Sequence, residues 1–403
     1  MKPRLGHSVV RLPETLWPRG YAPVASPLFE YVPAWTLASV EVAVPRLTAV
    51  LQEIAEQGPR KCGAELVDRL AEGFHVLGTH GHERIASLRP AHAFLLPGAS
   101  ATLQAARAEN AAALAAAVTF FTHACGTLLG AVSPEHFGPL RKRLDPVNPP
   151  QSVWYNESIA DAYDSTRPHV TAHDEALAGL KPLLRGCDVL EIGAGTGRTM
   201  VTMRPATRRY VATELSPAMF EHLTARAMTV DAEPVRADAM LLPFEDNTFD
   251  VVLEENCLAF IQEPLVAVEE CRRVLRPGGL FLRLLPSQTH PGHDEMLATL
   301  HTALVEAGHY RIPIWGKAEH LRIDEYFSDQ GLITQRLELG SWSEDYDPAR
   351  TVRALRRRSL PYLQLIDPAA YGPAVNRATA GLPDEHATSH DGWGALAASV
   401  TSV

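Results

Sequence analysis

The 403-residue chain is poor in cysteine, in aromatic residues and in positive charge. Its five cysteines, at positions 62, 125, 187, 257 and 271, are odd in number and form no C-x-x-C pair. That argues against a disulfide framework and against a thiolate zinc site, and it suits a reducing cytoplasm. Lys and Arg total 37 against 47 Asp and Glu, a formal charge of -10. Such a balance opposes attraction to polyanions, so neither nucleic acid nor a membrane surface is the expected partner. The N-terminal MKPRLGHSVVRLPETLWPRG is basic but holds no apolar run of signal-peptide length. One uncharged stretch, from Asn110 to Ser133, is long enough for a bilayer core of about 30 Å. It is rich in Ala, holds Thr119, Thr122, His123 and Thr127, and has too little Leu, Ile, Phe and Val to favour insertion. It reads as the buried helix of a soluble protein.

With 46% hydrophobic and 21% charged residues, the composition is that of a soluble globular protein, long enough for two or three domains. Residues 1–150 read as helical. Leu37 to Gln57, Ala64 to Leu77 and Ala101 to Leu129 carry apolar residues at helical spacing, and Pro45 is expected to kink or split the first of them. Asp145 to Pro150, DPVNPP, cannot continue a helix and reads as a linker, which sets a boundary between domains 1–150 and 151–403. Beyond it, short apolar runs alternate with helical stretches, the pattern of a parallel sheet covered by helices. Asp188–Ile192, Arg209–Thr213, Pro234–Ala237, Phe249–Glu254 and Gly279–Leu285 are the predicted strands, with Ile333–Leu339 and Trp393–Val400 completing an edge. Pro217–Met228 and Pro264–Leu275 are helices between them, and the polar stretch Ala380–Asp391 is expected to be loose.

The strongest chemical signal is VLEIGAGTGR, residues 189–198, in which an apolar strand stops at Ile192 and a glycine turn follows. Without Cβ atoms at 193, 195 and 197, a ligand's polar groups can reach backbone N–H groups. A nicotinamide or flavin fold prefers G-x-G-x-x-G, whose third glycine would fall on Arg198. The next strand ends at Glu214, where doubly wound folds place a carboxylate on ribose hydroxyls. The third leads into Asp238, able to accept from an adenine amino group, and the fourth opens into Glu254-Glu-Asn-Cys257.

Together VLEIGAGTGR, TELSPAMF, RADAMLLPFEDNTFDVVLEE and RRVLRPGGLFL resemble the class I S-adenosylmethionine-dependent methyltransferases, in particular the subgroup of the ubiquinone/menaquinone-biosynthesis enzymes. The lead-in AYDSTRP, residues 162–168, resembles that subgroup's Tyr-Asp-x-x-Arg segment. The resemblance covers most of 152–403 and implies an α/β, Rossmann-like seven-stranded core whose last, antiparallel strand inserts at one edge. It implies S-adenosylmethionine as cofactor and S-adenosylhomocysteine as product. Glu191, Gly193, Ala194, Gly195 and Gly197 are then expected around the methionine portion and Glu214 on the ribose. Leu215, Ala239 and Met240 would line the adenine with Asp238 on its amino group, Glu254 completes the set, and Tyr163 closes over it.

A sulfonium methyl is already electrophilic, so the protein's task is to align an acceptor and exclude water. A base is needed only for some acceptors, and His290 or His293, after the fifth strand, stand where such sheets bind ligands. Tyr163 and Glu255 with Asn256 are the other candidates for contact with substrate. Three features are discounted. Asn148-Pro-Pro-Gln151 lacks the aromatic residue of an amino-methyltransferase motif and reads as linker; His80, His82 and His92 lack ligand spacing, so no metal is expected; Arg353 and Arg356–Arg358 read as a solvated helix face. The expected substrate is a small molecule, with specialised bacterial metabolism suggested by the excess of arginine over lysine and the abundance of Ala and Pro. The N-terminal domain is expected either to cap the substrate pocket or to form a homodimer interface. A non-methylating cyclisation or rearrangement that uses the same cofactor is the alternative chemistry; a scaffold and a nicotinamide oxidoreductase rank below it.

Overall fold

The computed structural model describes residues 39–58, 61–85, 110–144, 155–166, 171–261, 263–289, 291–308, 322–359, 366–380 and 389–403, with a few isolated positions between. The chain divides into two compact units, one from Pro3–Asp145 with Leu297–Ile312, the other chiefly from Pro146–Met296 with Pro313–Val403.

The first unit contains α1 (Val40–Gln57), α2 (Ala64–His80), α3 (Ala111–Val132) and α4 (Pro134–Leu144). Helix α1 buries Val40, Val44, Leu47, Leu51 and Ile54 on one stripe. It runs as a single helix through Pro45, so of the kink or split expected there the split does not occur. An interior proline costs about 3 kcal/mol, and the buried Val44, Leu47, Val50 and Leu51 around it, at about 1.5–3 kcal/mol each, outweigh that. Within the expected 101–129, Thr102, Leu103 and Ala106 are helical, and a separate helix α3 starts at Ala111, where the Asn110 side chain caps it, accepting from the backbone N–H of Ala112 at 2.9 Å. The same side chain donates to the Glu306 carbonyl at 2.7 Å. By length and composition α3 could cross a membrane; here Phe120, Phe121, Ala124, Leu128 and Leu129 are buried in the unit. Close helix approach depends on missing side chains: a Cβ on Gly73 would stand 2.8 Å from Leu47, and one on Gly126 2.8 Å from the Phe137 ring.

The second unit opens with α5 (Glu157–Thr166), α6 (Thr171–Ala178) and the single turn α7 (Lys181–Leu184). Then β1 (Asp188–Ile192), α8 (Arg198–Met203), β2 (Arg209–Glu214), α9 (Pro217–Val230), β3 (Glu233–Arg236), β4 (Phe249–Glu255), α10 (Pro264–Val274) and β5 (Leu275–Thr289) alternate. Helix α11 (Pro291–Glu306) runs from this unit into the residues of the first. The chain closes with α12 (Ile323–Asp329), β6 (Ile333–Tyr346), α13 (Pro348–Arg356), α14 (Pro368–Ala378) and β7 (Ser389–Ser402).

The seven strands form one sheet in the order β3-β2-β1-β4-β5-β7-β6. Strands β1 to β5 are parallel, and β7 inserts antiparallel between β5 and β6, as the resemblance implies. All of β1 is buried, as a central strand covered on both faces must be. Leu190, Ile192, Val211, Phe249, Val252, Val268 and Phe281 form the core between sheet and helices. Ser216 caps α9 by accepting from Met219 N–H at 3.3 Å, with Pro217 preset at the first helical position. At the opposite edge from the strand exits, Asp188 takes Arg208 and Arg276, the latter at 3.2 Å. β1 lies between β2 and β4, so the crevice where the strand order reverses opens at its carboxyl end, where such sheets bind ligands.

The linker at 145–150 and residues 381–388 of the expected loose stretch lie outside the described residues; Ser389–Asp391 already belong to β7. Arg358 differs from the solvated face foreseen for it. It donates to the Leu363 carbonyl at 2.7 Å and stacks over Tyr371 at 4.6 Å, which fixes the turn after α13.

Candidate active site

The turn after β1 takes a backbone that only glycine adopts freely. Gly193, Gly195 and Gly197 have φ of 61°, 59° and 82°. Gly193 also has no room: a Cβ there would lie 2.3 Å from Cys257 Sγ, because the exit of β4 packs directly on the turn. Ala194 N–H donates to the Thr213 carbonyl at 2.8 Å, which draws the turn over the end of β2.

Carboxylates gather around this turn. Glu191 is buried at the end of β1, accepting from the Tyr210 hydroxyl at 2.7 Å. Burial pushes its carboxyl up to about 8, against the Tyr210 bond and with help from Glu255 and Glu214 nearby. Glu214, at the exit of β2, accepts from Gly195 N–H at 2.9 Å and from Ser216 N–H at 2.8 Å, so it pins the turn from below. Burial raises it and these backbone donors oppose the rise. Next to it Leu215 leaves 37% of its surface exposed, an apolar platform at the strand end. After β3, Asp238 accepts from Met240 N–H at 2.9 Å in a tight local turn, with Ala239 buried and Met240 half-buried.

At the exit of β4 two neighbouring glutamates part company, as alternating side chains of a strand do. Glu254 is buried and accepts from Cys257 N–H at 3.0 Å, with Arg283 at 3.4 Å on its other oxygen. Glu255 turns to the opposite face. One of its oxygens accepts from the Thr199 hydroxyl and the other lies 3.3 Å from His173 Nε2. Burial acts to raise Glu255, yet the bonds from His173 and Thr199 and the nearby Arg198 charge hold it below its ordinary value. The same bond raises His173 above its ordinary value against burial. The His173 ring meets Trp342 of β6 edge-on, at 6.0 Å and 87°. Asn256, immediately after, is held at φ 55°, a strained backbone for a residue other than glycine.

Helix α5 is fastened to the turn. Asp164 accepts from the Thr196 hydroxyl at 2.9 Å and from Arg226 at 2.5 Å, while His222 meets Asp161 at 3.1 Å. Tyr163 on this helix is 6.3 Å from Tyr155, which packs edge-on to Phe260 at 6.1 Å. The Tyr155 carbonyl accepts from Ser216 at 2.7 Å, so this aromatic group is tied to the start of α9.

Of the residues singled out in the sequence, the structure brings together Glu191, Gly193, Ala194, Gly195, Gly197, Glu214 and Glu255 around one turn, with Leu215 at the β2 exit. Glu254 is turned instead into a buried network with Arg283, Asp324 and Ser399. His290 lies outside the described residues, as does the side chain of His293 in the first turn of α11. Sequence reasoning missed His173, Thr199, Tyr210 and Trp342. The Asp164 of AYDSTRP was in view as part of a motif, but its hold on Thr196 and Arg226 was not.

An open, mostly parallel sheet with a glycine turn after β1 and a carboxylate at the end of β2 defines an α/β domain built for an adenosine-bearing cofactor. A family model described as a methyltransferase domain matches residues 190–283. A probable S-adenosylmethionine-dependent methyltransferase of Mycolicibacterium smegmatis is 32% identical over 137 residues, 34% of this chain and 52% of that protein. Demethylmenaquinone methyltransferase of Staphylococcus aureus is 34% identical over 149 residues, 35% of this chain and 58% of its own length. The chain thus spans about half the length of the curated relatives it matches. Among solved structures, the YcgJ protein of Bacillus subtilis aligns over 56% of this chain and 97% of its own, at 18% identity and a TM-score of 0.36. Residues 190–283 thus carry a methyltransferase domain, set in a seven-stranded sheet of the class I S-adenosylmethionine-dependent type. The cofactor of that class is S-adenosylmethionine, with S-adenosylhomocysteine as its product.

Proposed function

We propose that this chain moves the methyl group of S-adenosylmethionine to a small-molecule acceptor. The observation that carries the reading is the meeting of Glu191 and Glu214 around a turn of three left-handed glycines. A cationic ligand with an adenosine end fits such a place: its positive groups meet carboxylates, and its polar atoms meet bare backbone. Glu191 and the turn 193–197 would hold the methionine portion, Glu214 the ribose, Asp238 the adenine amino group, and Leu215 with Met240 the adenine faces. Tyr163 with Tyr155 would shield the site from water. When bound, the cofactor supplies an electrophilic methyl carbon.

The chain's own work is to orient an acceptor at the exits of β4 and β5 and to keep water out. We take residues 1–150 as the main part of a helical domain that caps the acceptor site or forms a homodimer interface, and 151–403, apart from Leu297–Ile312, as the transferase domain. A cytoplasmic enzyme of specialised metabolism matches the composition.

The test is to incubate the protein with methyl-labelled S-adenosylmethionine and fractionated small-molecule extract, measuring label in the products and S-adenosylhomocysteine together. Equal amounts of both support the reading. Cofactor that binds but yields neither, across all fractions, overturns it.

A further inference from the structure

We propose that His173, held by Glu255 and walled by Trp342, removes the proton from a phenolic hydroxyl acceptor; this rests on the methyl-transfer reading above. Glu255 ends β4, level with Leu284 of β5. Trp342 of β6 pairs with Gly394 of β7, which also pairs with Gln288 of β5, so Trp342 stands just past that same strand-exit edge. Cofactor residues occupy the exits of β1 and β2, and the acceptor must then approach from the β4 side of the switch point. Helix α6 packs on α8, β6 and β7 and brings His173 there from outside the sheet.

Both oxygens of Glu255 are engaged, one by the Thr199 hydroxyl and one by His173 Nε2 at 3.3 Å. This fixes the ring. An Nε2–H donated to the carboxylate leaves the Nδ1 lone pair as the base, a tautomer assigned from these partners. Asp174 Oδ1 stands 3.7 Å from Nδ1. The imidazolium formed on taking a proton is then flanked by a carboxylate on each side. The other groups that bear on the pair are Arg198 of α8 and Glu191 of β1, both acting through Glu255, and from β6 the uncharged Trp342.

In the step, the acceptor oxygen forms its bond to the methyl carbon as the carbon–sulfur bond opens. The sulfur keeps that electron pair and becomes a neutral thioether, and the hydroxyl proton passes to His173 Nδ1. A phenol, with a pKa of about 10, is mostly protonated at neutral pH and needs such a base. A thiol ionises more readily without one. The Trp342 ring, 6.0 Å from the base, makes an aromatic wall there, and an aromatic acceptor suits it. In this scheme His173 is the catalytic residue and Glu255 a positioning residue.

The experiment uses the full chain, methyl-labelled S-adenosylmethionine and two probes: 4-methylphenol, which needs a base, and 4-nitrophenol at pH 8, already largely ionised. His173→Gln is expected to lose about 100-fold with 4-methylphenol and less than about tenfold with 4-nitrophenol, at unchanged affinity for the cofactor. Glu255→Gln is expected to move the acid limb of the 4-methylphenol rate profile to lower pH. An independent reading needs no turnover. In protein with labelled histidine rings, the signal missing from His173→Gln should titrate above the ordinary value of about 6.5 and move down in Glu255→Gln. Circular dichroism and cofactor calorimetry confirm that each variant is folded. Equal losses on both probes, or no methylation of either by protein that binds the cofactor, overturn the proposal for His173 alone. Failure to bind S-adenosylmethionine defeats the methyl-transfer reading beneath it.

Discussion

Gly193→Ala tests whether the glycine turn is required by backbone and by packing at once. At φ 61° an alanine sits in the left-handed region, which costs about 1–2 kcal/mol. Its Cβ would also fall 2.3 Å from Cys257 Sγ and 2.7 Å from Cys257 Cβ, inside any normal contact, and such overpacking costs about 1–3 kcal/mol more. The total, about 2–5 kcal/mol, is a large part of the 5–15 kcal/mol typical of a whole domain. The two parts can be separated because only the second depends on Cys257. Urea unfolding followed by circular dichroism on the wild type, Gly193→Ala, Cys257→Gly and the double variant closes a cycle. The expected coupling is about 1–3 kcal/mol in favour of the double variant, with about 1–2 kcal/mol of backbone strain left over. A Gly193→Ala loss under about 0.5 kcal/mol, or a coupling near zero, would refute the packing of β4 on the turn.

Two further outcomes follow from the ionisable groups. Glu191 is raised from 4.5 to about 8 by burial, so its contribution to stability is complete at low pH and is lost as the pH rises through about 8. Glu191→Gln should therefore be more stable relative to the wild type at pH 9 than at pH 5, as read by thermal melts, and wild-type cofactor binding near pH 7 should release a proton, as read from the buffer dependence of the calorimetric heat. Asp188 is shifted the other way: hydrogen bonds from Arg208, then those from Arg276, lower it against burial. Its stabilisation is present above about pH 4 and is lost as the pH falls through its lowered value, so the stability gap between wild type and Asp188→Asn should narrow below about pH 4 in urea titrations.

The sheet could be read from the sequence because central strands are short apolar runs with sharp ends. β1 and the end of β2 were legible almost to the residue, and Pro217 and Pro264 marked the helix starts. The edge was less legible. β6 and β7 run on to Tyr346 and Ser402 because they pair antiparallel with each other over a length that no local pattern announces. Pro45 and Asn110 show tertiary packing and a cap deciding what propensity left open. Within the site, the glycine turn and Glu214 carry a spacing signal, whereas His173 meets Glu255 and Trp342 only after three distant segments come together. Glu254 and Glu255 make the limit concrete. Adjacent residues on a strand face opposite ways, and the chain alone does not say which of them faces the turn.

The central claim is tested most directly by calorimetric titration of the purified chain with S-adenosylmethionine and S-adenosylhomocysteine, with NAD as control, repeated on Glu214→Ala. The substitution removes an acceptor for two backbone N–H groups, at Gly195 and Ser216, as well as the carboxylate proposed for the ribose. Charge-assisted hydrogen bonds of this kind are worth about 1.5–3 kcal/mol, so the account predicts binding of both sulfur cofactors, none of NAD, and affinity for both weakened roughly 10- to 100-fold in the variant. Absence of binding to either sulfur cofactor, or an affinity that Glu214→Ala leaves unchanged, would contradict it.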